Sequence, residues 1–385
     1  MFDWVHFQYP ARIFLEKGST HKIGSVVKDL GSRVLLLVLK NEEYNPDELA
    51  IIKTSLERYT SGCIIYDDLE KRPGFDELDT AAHFIKQSRA DLILAYGGRD
   101  TFHTARAVAL LATNEVFAKE LPERREPLKR PPMPVITVPG VFTMGEESSP
   151  TFVMYDHATG ELYHGNDPRL FPAAVFMDPA ITMSMSEAEI TRTGVAILAA
   201  AVEAILSKRA NDLSNSMALR AIELIMRSLQ NLVKDTTNQN ARNNISVANL
   251  LCGVSHSNSW LGLCYSIATA TNLITGMDFM MAMAILLPHV MEYNLTTSAG
   301  KYVQIARALE EDIHDITVIE AAIKAVEGVR KLYLDLKIPQ RLSDFEVDKA
   351  LLPEIAGMAS TFPLIKNTPR ELDQNEIETI LIAAY

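Results

Sequence analysis

The sequence predicts two domains of different class, an α/β domain built on a largely parallel sheet followed by an all-α domain. Short β-branched or leucine-rich runs alternate with helical patterns in the first half, as βαβ units do. The composition shifts near Asp178 and Pro179, after which nearly every segment has helical periodicity. The chain of 385 residues, 48% of them hydrophobic, also exceeds the size at which single cores stop growing.

Four runs read as buried strands: Val34 to Leu39, Cys63 to Tyr66, Asp91 to Ala95 and Val135 to Val138. Between them, Asp47 to Tyr59 and Phe75 to Gln87 carry apolar residues three and four apart, the spacing of an amphipathic helix. The proline- and charge-rich segment Leu121 to Pro134 reads as a loop. Beyond Pro179, Ser186 and Glu189 have capping-box spacing, which starts a helix that runs to about Ser207. Further helices are expected over Ser216–Leu232, Val247–Cys252, Leu261–Leu273, Asp278–Glu292, Tyr302–Leu309, Val318–Leu334, Phe345–Ala359 and Gln374–Ala384.

A formal charge of −12 and a pI near 5.3 describe an acidic surface that repels phosphate backbones, so nucleic acid is not an expected partner. Cys63, Cys252 and Cys264 form neither an even set nor a CxxC spacing, which excludes a disulfide framework and a zinc knuckle and fits a reducing cytoplasm. The start MFDWVHFQYP has no signal-peptide pattern, and the apolar stretch Phe279 to Val290 is too short to span a bilayer. A cytoplasmic protein is expected.

The segment DLILAYGGRDTFHTARAVALL reads as strand, glycine pair, helix. Such a turn aims the first N–H groups of the helix at one spot that suits a phosphate, and Gly97 and Gly98 let the backbone approach it. A plain βα turn uses glycine as well. Asp100 would cap the helix and put negative charge where a phosphate should lie, with Arg99 and Arg106 to offset it.

Together with Thr104-Ala105-Arg106, the run Gly97-Gly98-Arg99-Asp100 resembles the GGGSxxDxAK signature of the iron-type alcohol dehydrogenases. Val135 to Gly140 resembles the start of that family's PTTAGTGSE loop, and Asp178-Pro179-Ala180-Ile181-Thr182 its DPxLT. Thr193 to Ser207 resembles GxDALxHAxEAYxS, Ala284 to Asn294 resembles AxLLPxVxxxN, and Asn367-Thr368-Pro369-Arg370 precedes a last helix as expected. The likeness runs through the whole chain in order. It implies the dehydroquinate synthase-like fold of that family, with a Rossmann-like domain over residues 1–178 that binds NAD or NADP. Residues 179–385 would form a helical domain, with a metal in the cleft between the two, and the chain a homo-oligomer, a dimer or larger.

The resemblance also locates what differs. The family holds its metal with an Asp and a His four residues apart on one helix, then two further His. Those positions fall on Ala196, Ala200, Tyr265 and Phe279. Two methyls and a phenyl offer no donor atom, and a lone phenol does not make a site, so neither iron nor zinc is expected. A relocated site using His256, Cys252 and Cys264 competes with the plainer reading of packed core residues. His289 falls in a matching stretch outside the ligand set, and reads as structural or cleft-lining.

In the nucleotide domain, the loop glycines are read onto Val141-Phe142-Thr143-Met144-Gly145, where bulk has replaced space. The family's ribose-binding Asp is absent from Leu39-Lys40-Asn41, so NADP is better accommodated than NAD if either binds, with Lys40 as a partner for a 2′-phosphate. The plainer reading of Lys40 is a solvated lysine at a strand end. The resemblance thus assigns Gly97, Gly98, Arg99, Asp100, Lys40, Val138, Pro139 and Ile181 to the cofactor. Tyr265, on a former ligand position, and His103, in place of the signature's Asp, are the catalytic candidates. Two functions stand side by side. One is metal-independent, NAD(P)-linked redox chemistry on a small alcohol, aldehyde or oxoacid; the other is a non-catalytic member that acts as a structural partner or a binder of a nucleotide or metabolite.

Overall fold

The computed structural model describes residues 6–42, 44–124 and 128–385. The first five residues of the chain start, and residues 125–127 of the predicted Leu121–Pro134 loop, lie outside the described residues. The chain divides into two compact units, Tyr9–Met185 and a second formed by Ser186–Tyr385 together with residues 6–8.

The first unit contains β1 (Arg12–Leu15), α1 (Ile23–Val27), β2 (Arg33–Leu37), α2 (Pro46–Tyr59), β3 (Gly62–Tyr66), α3 (Phe75–Ser88), β4 (Leu92–Gly97) and α4 (Arg99–Thr113). It continues with β5 (Val135–Pro139), β6 (Thr151–Asp156), β7 (Glu161–Asn166) and β8 (Ala174–Met177). Six strands form one parallel sheet in the order β1-β8-β5-β4-β2-β3, while β6 and β7 pair separately as an antiparallel hairpin. The leucine-rich β2 and β4 are central and buried on both faces, which is why their sequences run apolar without alternation. One face of the sheet packs Leu35, Leu37, Ile93 and Ala95 with α3 and α4; the other packs Val34, Leu36, Leu92 and Leu94 with α1 and α2.

The four strands expected from sequence are present, with small shifts of boundary. Four more were not expected. β1 is an edge strand with half its residues exposed, and β8 (AVFM) is too short to show a period. The hairpin β6–β7 turns through residues 157–160, and its β7 residues ELYHGN have no strand-like composition. Stacking of Phe14 on Phe176, with ring centroids 4.6 Å apart, ties β1 to β8.

The unit closes after Met185 rather than at the composition change near Asp178. Thr20 donates from its backbone N–H (3.3 Å) and its Oγ1 (2.9 Å) to the Asp178 carboxylate, and Ile181 is buried in the sheet core. The DPxLT-like segment therefore belongs to the α/β unit.

The second unit is helical: α5 (Glu187–Leu206), α6 (Asp212–Lys234), α7 (Gln239–Ser259), α8 (Leu263–Thr275), α9 (Phe279–Asn294), α10 (Ala299–Ala308), α11 (Val318–Asp335), α12 (Leu352–Thr361) and α13 (Gln374–Ala384). The predicted Ser186–Glu189 capping box starts α5, with Ser186 Oγ accepting from Glu189 N at 3.3 Å. The helix expected over Val247–Cys252 is only the middle of α7, because the asparagine- and serine-rich flanks hide its period while Asn238 supplies a cap. The helix expected from Phe345 begins at Leu352, with Pro353 in its first turn, where its missing N–H costs nothing. Among the described residues no helix is long and apolar enough to cross a membrane.

Candidate functional site

The glycine turn of the first unit is built as the sequence suggests, but its occupant was not foreseen. β4 ends at Gly97, Gly98 is the N-cap, and Arg99 starts α4. Asp100 does not cap this helix; no side chain of the N-cap residue does. The carboxylate that meets the helix start is Glu42, from the turn after β2. Its Oε1 accepts from Asp100 N (3.2 Å), and its Oε2 accepts from Thr101 N (3.1 Å) and from the Thr101 hydroxyl. Burial, and then the neighbouring Asp100 carboxylate, push the Glu42 pKa up to about 7. Asp100 pairs with Arg72 at 3.7 Å. Arg106 does not offset Asp100 as expected, since it binds carbonyls elsewhere.

Val138 and Pro139 lie beside this turn, paired with Tyr96 and Gly97 across the β4–β5 ladder, and Gly140 N donates to Gly97 O at 2.8 Å. Gly97, Gly98, Arg99, Asp100, Val138 and Pro139 are thus brought together. Two other cofactor candidates are placed differently. Ile181 is a core residue, 1% exposed. Lys40 pairs with Asp68 at 3.8 Å, both side chains being well exposed, which is the solvated lysine of the plainer reading.

The loop after β5 is buried almost throughout. Gly145 has φ 85°, as a glycine there permits, but Met144 before it is also left-handed at φ 60°. Thr137 Oγ1 donates to Glu147 O at 2.8 Å, and the Thr143 hydroxyl donates to the Glu147 carboxylate. Arg106 is fully buried beneath this loop, donating to Glu146 O (2.5 Å) and Thr151 O (3.2 Å).

His103, a catalytic candidate from sequence, lies beside Arg106. It is 2% exposed, and its Nδ1 is 3.4 Å from Thr151 O. Burial, followed by the Arg99 and Arg106 guanidiniums, lowers its pKa well below the usual histidine range. His103, sealed from solvent and held away from its charged form, packs the α4–hairpin junction.

In the second unit, α5 places Ala196 and Ala200 on one face, both 0% exposed, and packs against α8 and α9. Tyr265 on α8 and Phe279 at the start of α9 are 3% and 5% exposed. Their rings meet edge to face, with centroids 5.2 Å apart. Among the described residues no group of three or more His, Cys, Asp or Glu is arranged to hold a metal ion.

The relocated site from sequence does not assemble. The Cys252 thiol donates to Ile197 O at 3.5 Å, and the Cys264 thiol donates to Met283 O at 3.3 Å. Burial, and then Glu203, raise the Cys264 pKa well above the usual thiol range, opposing the thiolate that a metal requires. His289, 3.9 Å from Glu292, has its pKa lowered mainly by burial.

Glu203 is a residue that sequence reasoning passed over. Only 6% exposed, it accepts from Cys264 N (2.5 Å) and Tyr265 N (3.1 Å), and so caps the helix that carries Tyr265. Burial raises its pKa to about 7 despite these bonds. The folded state therefore holds this proton more tightly than the unfolded chain. The associated stability is complete below about pH 4.5, the unfolded value, and is lost as pH rises through about 7. Relative to Glu203→Gln, the wild type is expected to lose about 3 kcal/mol of stability between pH 5 and pH 8. Urea melts of both proteins across that range check it, and parallel pH profiles would refute it.

Residues 10–179 match the family model for iron-containing alcohol dehydrogenase, and residues 190–385 match that for the C-terminal part of the Fe-containing alcohol dehydrogenase family. The chain belongs to the iron-containing alcohol dehydrogenase family. It is 28% identical over 387 residues to 1,3-propanediol dehydrogenase of Klebsiella pneumoniae, covering 100% of this chain and 99% of that protein. Identity to lactaldehyde reductase of Escherichia coli is 26%, with 96% of each chain covered. A solved structure of 1,3-propanediol oxidoreductase superposes with a TM-score of 0.94 at 26% identity, and each chain is covered in full.

Proposed function

We propose that this chain is a member of the family that has given up metal-assisted hydride transfer and acts as a non-catalytic structural partner, in a homodimer for example, or as a binder of a nucleotide or metabolite. The observation that carries this reading is the set Ala196, Ala200, Tyr265 and Phe279, in which the Tyr265 phenol oxygen is the one side-chain heteroatom. The motif resemblance implies that the family's ligands would fall at these positions, which carry two buried methyls and an aromatic pair packed edge to face. A bound cation would supply Lewis-acid polarisation of a carbonyl oxygen. Two methyls and a phenyl have no lone pair for such a cation, and the single Tyr265 phenol falls short of the three or so ligands a site needs, so the residues present do not fit it.

A second reading keeps NAD(P)-linked redox chemistry on a small alcohol, aldehyde or oxoacid without a metal. Full-length similarity to proteins named as a dehydrogenase and a reductase supports it. The Tyr265 O–H would then take over polarisation of the carbonyl.

The experiment is elemental analysis of the purified protein, combined with NADH and NADPH oxidation assays over short aldehydes and oxoacids. The expected result is far less than one iron or zinc per chain and no turnover above buffer, with or without chelator. Stoichiometric metal with chelator-sensitive turnover would overturn the proposal. Chelator-insensitive turnover that is lost in Tyr265→Phe would establish the second reading instead.

A further inference from the structure

A dinucleotide of the kind this family implies would set its pyrophosphate on the first N–H groups of α4, against Gly97 and Gly98. In this chain those donors are taken. Asp100 N and Thr101 N both point at the Glu42 carboxylate, and the Thr101 hydroxyl adds a third bond. The fit is close: a Cβ built on Gly98 would lie 2.6 Å from Glu42 Oε1, and one on Gly97 would lie 3.1 Å from Oε2. The space that the glycines leave open is the space the carboxylate fills. A pyrophosphate does not fit beside it, because both anions need the same donors, and Asp100 adds a further negative charge.

We infer that the Glu42 carboxylate is an intramolecular substitute for the dinucleotide's pyrophosphate, an autoinhibitory contact that keeps the glycine turn closed to anionic ligands. The contact comes from a turn, not from the sheet. Glu42 is half-buried and lies just after Asn41, an exposed residue with left-handed backbone at φ 60°. The charged groups that face it are Asp100 on α4 and Lys71 on the segment after β3, with Arg72 held by Asp100. This inference does not depend on the reading of the metal positions in the second unit.

The test uses the full chain, with inorganic pyrophosphate as the probe in calorimetry. The wild type is expected to show no saturation up to millimolar pyrophosphate. Glu42→Ala vacates the cradle and is expected to bind at least tenfold more tightly than wild type; Glu42→Gln removes the charge but keeps the shape, and is expected to gain less than Glu42→Ala. Folded variants, judged by circular dichroism, that bind no better than wild type would overturn the inference, as would micromolar binding by the wild type itself. Should both variants fold poorly, sulfate, whose charge is fixed near neutrality, serves as the probe of the wild type. Protonation of Glu42 removes its charge and weakens its hold on the two N–H groups, so sulfate is expected to bind at least threefold more tightly at pH 6 than at pH 8, and a flat or reversed profile would overturn the inference.

Discussion

Replacing Arg106 with alanine is expected to cost the α/β unit roughly 3–5 kcal/mol, among the largest losses any single substitution in that unit should produce. The guanidinium is wholly buried and bonds two carbonyls from different segments, Glu146 O in the loop after β5 and Thr151 O at the start of β6. Glu146 and Glu147, 3% and 0% exposed, lie close enough to support its charge, which persists at neutral pH although burial lowers its pKa to about 10. Alanine would leave both carbonyls without this donor and deprive the two acids of their nearest buried cation. Lysine keeps the charge but lacks the planar fork, so Arg106→Lys should recover only part of the loss. Urea denaturation at constant m-value measures it. An alanine variant within 1 kcal/mol of wild type would show that the loop and hairpin hold themselves.

The second large effect is expected from Ala196→Asp combined with Ala200→His. Both positions are 0% exposed on the inner face of α5, so the variant buries a carboxylate and an imidazole among apolar side chains. Uncompensated burial of that kind costs about 4 kcal/mol or more. If the four positions surround one point, adding Tyr265→His and Phe279→His supplies a complete donor set. Zinc at about a thousand times its dissociation constant should then restore about 4 kcal/mol to the quadruple variant and nothing to the double variant. Thermal melts with and without zinc read this directly. A quadruple variant indifferent to zinc would mean that the side chains do not converge.

The contrast between these two regions shows what the sequence could reveal. The central strands were legible because burial on both faces of a parallel sheet leaves continuous apolar runs, as in Val34 to Leu39. The start of α5 was legible because a cap acts through neighbours three residues apart. The hairpin was not, since Tyr163 and His164 become strand residues through pairing with Met154 and Val153 rather than through their own preference. Of the cofactor candidates, Gly97, Gly98, Val138 and Pro139 do converge, while Lys40 turns to Asp68 and Ile181 to the core. Glu42 escaped notice because its partners, Asp100 and Thr101, are more than fifty residues away along the chain. It lies one residue beyond Leu39-Lys40-Asn41, the stretch where the resemblance puts a ribose-binding acid. Glu203 escaped for the same reason: a single acid in an alanine-rich helix gives no hint that it caps another helix.

The three cysteines make the two units separately observable. Cys63 sits half-buried on β3, with its pKa pushed up to about 11 mainly by burial, whereas Cys252 and Cys264 are buried in α7 and α8 with their thiols on backbone carbonyls. None is poised to react with an alkylating reagent while the fold is closed. Modification of Cys252 or Cys264 therefore has to wait for an opening event of the helical unit, while Cys63 reacts slowly in the closed fold and faster when the α/β unit opens. Timed labelling followed by peptide mass analysis gives the opening rate of the helical unit from Cys252 and Cys264 and a separate reactivity for the α/β unit from Cys63, with no probe introduced.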